Sequence, residues 1–92
     1  MGTFHDGLGD LHGITVVVDT AGPRLAIGRC HEMTASRIVL MDADLHEEAP
    51  GAATKADFIR RAAEVGVWAR HPRLVLAMSE VVSVTPLGDI AA

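Results

Sequence analysis

Tyrosine is absent from this 92-residue chain, and its aromatic residues are Phe4, Phe58 and Trp68 alone. Long stacking platforms for single-stranded nucleic acid draw on several aromatics, so an extended platform is excluded. One cysteine, Cys30, forbids an intramolecular disulfide. A small chain without disulfides fits a reducing compartment, and the chain is read as cytoplasmic. No apolar run approaches the ~18 residues of a membrane helix. The opening MGTFHDGLGD has no basic region and no long apolar stretch, so it is not read as a secretory signal. Asp6 stands where a myristoylation signal needs Ser or Thr. Lysine occurs once, at Lys55; the other basic residues are arginines. Eight basic against 12 acidic side chains give a net charge of −4. That balance repels phosphate backbones over the surface as a whole, so DNA is not expected as a partner. There is no Ser elbow, phosphate loop or dinucleotide fingerprint, and no enzyme is expected.

What is present is apolar and β-branched. At 49% hydrophobic the chain is too apolar to stay disordered, and its length suits one domain over residues 1–92. Residues 1–12, with Gly2, Gly7 and Gly9 among His and Asp, favour turns or a short helix from Phe4 to Leu11. Residues 14–19 (ITVVVD) predict a first strand and residues 25–33 a second, with Gly28 at a bend or close approach. Residues 38–45 predict a third strand, 73–78 (RLVLAM) a fourth, apolar on both faces, and 81–85 a fifth. Between strands three and four, residues 47–72 carry a helix over 54–66. Thr54 is its cap, Phe58, Ile59, Ala62 and Val65 its apolar stripe, and Gly66 its left-handed terminator. The fold class expected is mainly β: a small, strongly bent five-stranded barrel, closed on itself to avoid unpaired edges. The Ala- and Arg-heavy composition fits a bacterial source with a GC-rich genome.

Gly13, then Val16 and Val18, then Gly28 fifteen positions after Gly13, resembles the opening of the motif of Sm and Sm-like RNA-binding proteins. The strand Ile38 to Asp42 looks like the one that closes that motif, and RLVLAMSEVVSV like the family's last two strands. The resemblance covers about residues 13–46 and 73–90. It implies a non-catalytic homo-oligomer, a ring paired through strands near 73–85, that binds short RNA. Carried onto this chain, RNA contacts would fall near Arg29, Thr34 and Arg37. The chain departs from the pattern there: Thr34 and Arg37 or Ile38 replace the Asp and Asn that hold a uridine in many members. Ser79-Glu80 replaces the usual Arg-Gly pair of the late turn.

A separate reading comes from IVLMDADLHEE, residues 38–48. Strand alternation would put Leu40, Asp42, Asp44 and His46 on one face and Val39, Met41, Ala43 and Leu45 on the other. The bland outcome is a strand emerging from the core. The sharper one is a divalent-metal or small-ligand site at Asp42, Asp44 and His46, spaced about 6.5–7 Å apart in sequence order. His5, Asp6, Asp10 and His12 would be ordinary turn residues or would close over that site. Cys30 and His31 should face opposite ways, leaving Cys30 a buried apolar residue rather than a nucleophile. Trp68 is expected to pack beneath the helix.

Overall fold

The computed structural model describes residues 11–91. The predicted segment from Phe4 to Leu11, and His5, Asp6 and Asp10, lie outside that range except for Leu11. Strands β1 (Thr15–Thr20), β2 (Arg24–Met33) and β3 (Arg37–Glu47) form an antiparallel meander. Helix α1 (Lys55–Val65) follows, then β4 (His71–Ala77), a single 3₁₀ turn (Met78–Glu80), β5 (Val81–Pro86) and α2 (Leu87–Ala91). All five strands join one sheet in the order β4-β3-β2-β1-β5. This is the mainly β architecture expected, five strands with a helix between the third and fourth.

The centre of β2 and β3 sets the bend. Ile27 pairs with Asp44 but Arg29 pairs with Met41, so Gly28 faces both Asp42 and Ala43. Two residues against one make a β-bulge. Asp42 absorbs the extra residue with φ 49°, in the left-handed region that Asp tolerates better than most side chains. The bulge reverses the side-chain phase of β3. Ile38 and Leu40 point into the main core before it; Ala43 and Leu45 do so after it. The uninterrupted alternation over residues 39–46 is therefore corrected: Leu40 and Asp42 do not share a face with Asp44 and His46 as one continuous row.

The sheet is covered twice. Its concave side closes over Val16, Val18, Ala26, Cys30, Ile38, Leu40 and Leu76. Its other side holds Val17, Leu25 and Ile27 against Ala62, with Phe58 and Ile59 of α1 and Leu87 of α2 packed alongside. Strand β1 is buried on both sides, which explains its unbroken VVV. Helix α1 is fixed mainly at its start. Thr54 Oγ1 accepts from Asp57 N–H at 3.1 Å, and Glu48 Oε2 accepts from Lys55 N–H at 2.7 Å. Lys55 Nζ then donates to Asp19 Oδ1, Thr20 O and Gly22 O within 3.1 Å, tying the helix to the β1–β2 turn. At the other end Gly66 takes φ 92° and ψ 167°, a glycine conformation but not the left-handed helical one expected.

Two further expectations are corrected. The sheet is strongly bent but not closed: β4 and β5 are its two ends and do not pair with each other. Within the single subunit β4 buries Leu76 and leaves Val75 42% exposed. The stripe of α1 stops one turn early, because Val65 is 75% exposed.

Candidate nucleic-acid interface and the cavity under the helix

Arg29, Thr34 and Arg37 run along the outer part of the β2–β3 hairpin. Arg29 stands opposite Met41, while Arg37 opens β3. Four strand residues separate those levels, about 13 Å at ~3.3 Å per residue. Thr34 Oγ1 accepts from Ser36 N–H and Arg37 N–H, and Thr34 N–H donates to Arg37 O at 2.8 Å. The threonine thus shapes the turn. Both arginines hold exposed ion pairs: Arg29 Nη2 to Asp42 Oδ2 at 2.7 Å, and Arg37 Nη2 to Glu32 Oε2 at 3.3 Å. Exposed pairs are worth ~0–1 kcal/mol, so a phosphate can displace the carboxylates at small cost.

Asp42, Asp44 and His46 have separate partners. Asp42 is taken by Arg29 across the bulge. Asp44 is 5% exposed; its Oδ1 accepts from Leu45 N–H at 3.0 Å and lies 3.7 Å from Arg70 Nε. His46 Nε2 donates to the Ala53 carbonyl at 2.6 Å, and its ring stacks on Phe58 at 4.8 Å. A nitrogen donating a proton has no lone pair for a metal. Among the described residues no three His, Cys, Asp or Glu side chains stand where they could hold a metal ion.

Cys30 is buried in the main core, and desolvation raises its thiol pKa. That favours the protonated form and fits the structural role expected of it.

One feature escaped sequence reasoning. Between α1, the segment after it and the sheet lies a cavity of about 270 Å³. Asp44 and Ile27 come from the strands, Phe58, Arg61 and Ala62 from α1, and Val67, Trp68 and Arg70 from the following segment. Trp68 does not pack beneath the helix; it is 63% exposed, with the Arg70 guanidinium 4.5 Å from its ring centroid and that of Arg61 at 6.0 Å. The available signal was Trp68 flanked by Gly66 and Arg70: past a helix terminator, a large ring has no helical face to bury.

No protein-family model matches the chain, and neither does any curated protein. Among solved structures it is similar to the Sm protein of Pyrococcus abyssii in complex with a uridine heptamer. The TM-score is 0.61 at 17% identity, covering 89% of this chain and 94% of that one. At that identity the likeness establishes the fold.

Proposed function

We propose that the chain is a non-catalytic, cytoplasmic Sm-like scaffold that assembles into a homo-oligomeric ring and binds short single-stranded RNA. The observation that carries this is the pair of open sheet ends. An unpaired strand edge offers a row of N–H and C=O groups to another chain. Among the described residues β4 and β5 are both unpaired on their outer sides, in one sheet. β4 of one subunit joining β5 of the next satisfies both and leaves no terminal edge once a ring closes. Exposed Val75 and Val82 on those strands would be covered by the same contact.

The RNA reading is supported by the fold it shares with a protein solved around a uridine heptamer, and by Arg29 and Arg37 on one hairpin. Thr34, between them, would hold the turn that presents Arg37. A net charge of −4 limits binding to this local surface.

Two measurements test the proposal. Light scattering at tens of micromolar should give a mass of several subunits; a monomer would end the ring. Titration of a labelled uridine oligomer at two salt concentrations should show binding that weakens as salt rises. Absence of binding at the lower salt would remove the RNA function and leave only the assembly.

A further inference from the structure

Of the chain's three aromatic residues, Phe4 lies outside the described range; the other two, Phe58 and Trp68, both line the cavity under α1. Its chemistry is ordered from floor to rim. At the floor is the buried carboxylate of Asp44. A carboxylate has about four lone-pair positions, and the Leu45 amide uses one. Arg70 Nε, at 3.7 Å, offsets the charge but is too far for a hydrogen bond. The walls are Ile27, Phe58, Ala62 and Val67. At the rim are the exposed Trp68 ring and the Arg61 guanidinium, while the half-exposed Arg70 guanidinium lies over Trp68 and reaches inward to Asp44.

Each layer excludes a class of ligand. A phosphate or carboxylate at the floor would meet Asp44. A free cation would have to pass two guanidinium groups. A purely aliphatic group would leave the buried carboxylate short of donors. The ligand that suits all three layers is a flat ring with N–H donors on one edge and a negative charge at the opposite end. A nucleobase carrying its phosphate has that form. Pockets for drug-sized molecules run from ~300 to 1,000 Å³, so about 270 Å³ suits one ring system rather than an extended ligand.

We propose that this cavity binds the base of a guanosine nucleotide, with Asp44 accepting from the base edge, Trp68 stacking on the ring, and Arg61 and Arg70 meeting the phosphate. Guanine presents two adjacent donors, its ring N–H and its exocyclic amine, to one carboxylate. Uracil presents a single N–H between two carbonyl oxygens that Asp44 would repel. The inference deepens the RNA-binding reading by giving it a base preference, yet uses a surface distinct from Arg29, Thr34 and Arg37.

Trp68 is the only tryptophan, so its fluorescence reports this cavity alone. The full chain is titrated with GMP, UMP, guanosine and inorganic phosphate. GMP should quench saturably, on the order of tenfold more tightly than UMP, and more tightly than guanosine or phosphate. Asp44→Asn should abolish the preference for GMP over UMP. Arg70→Ala, at a half-exposed side chain, should abolish the preference for GMP over guanosine, and it keeps the test decisive should Asp44→Asn unfold. A uridine hexamer with one internal guanosine separates the two sources of the base. Quenching tighter than by GMP assigns the site to RNA; equal or weaker quenching assigns it to a free nucleotide. No saturable quenching by GMP, or equal response to GMP and UMP, overturns the proposal. Uridine-oligomer binding measured in parallel keeps the two readings apart. If it persists, the scaffold reading survives the loss of the cavity site; if GMP quenches without it, the cavity stands and the hairpin interface falls.

Discussion

A Cβ placed on Gly28 would lie 2.6 Å from the Cβ of Ala43 and 2.9 Å from its Cα. The contact is between two strands, so no flexible side chain can swing aside. Gly28→Ala should therefore destabilise by about 1–3 kcal/mol or more, the usual range for forcing extra volume into a packed site. Ala43→Gly alone should cost less, and the double variant should recover part of the loss. Urea denaturation of the four proteins closes the cycle. Additive losses would show that the close approach does not control the bend.

The cap of α1 gives a smaller effect. Thr54→Ala removes the acceptor for Asp57 N–H and should cost about 1 kcal/mol. Glu48 still accepts from Lys55 N–H, so the helix should remain formed. Thermal unfolding by circular dichroism reads both: a lower midpoint with unchanged native helicity.

Most of the fold was legible because its signals are local. The β-branched run at residues 15–18, Thr54 three residues before Asp57, and Gly66 after Val65 each specify their own neighbourhood. The bulge was not. Asp42 sits amid an apolar-to-polar transition that reads as plain alternation, and only the steric demand of Gly28 against Ala43, fifteen residues apart, displaces it. The metal-like row at Asp42, Asp44 and His46 dissolved for that reason. Open strand ends were equally hidden in the residues themselves, since β4 and β5 look apolar whether they pair within one chain or between two; only the family resemblance pointed to pairing between subunits. The cavity needed Asp44 of β3 beside Trp68 and Arg70 beyond the helix, a juxtaposition that no spacing in the chain encodes.

Burial of Cys30 yields a pH prediction with a definite sign. Its pKa in the folded state is raised above the ordinary value of 9.0 by desolvation. The unfolded chain therefore loses this proton first as pH rises. The contribution to stability is complete below about pH 9 and falls as pH climbs from there toward the folded-state pKa. Native protein should react slowly with a thiol reagent at pH 8, and at the rate of a free thiol in denaturant. Fast native reaction would place the thiol in contact with solvent.

If Arg29 and Arg37 meet phosphate, each contact releases about one counterion. Arg29→Ala and Arg37→Ala should each weaken uridine-oligomer binding and reduce the salt slope by about 0.7, the value for single strands. Both side chains are exposed, so stability should change by no more than about 0.5 kcal/mol. Loss of affinity with an unchanged slope would mean that the arginines shape the hairpin through Asp42 and Glu32 instead of touching RNA.

The open edge can be charged without touching the core. Val82 of β5 is 64% exposed, so Val82→Lys buries nothing within one subunit. Its effect on subunit folding should stay within about 0.5 kcal/mol. In an assembly joining β5 to β4 of a neighbour, the same lysine must be desolvated against a partner, and charged residues on edges are a common natural device against such pairing. Light scattering should then show the variant's mass falling toward one subunit at concentrations where the parent remains assembled, while circular dichroism stays unchanged. An unaltered mass would place the subunit contact elsewhere than this edge, and the unpaired ends of the sheet would need another explanation.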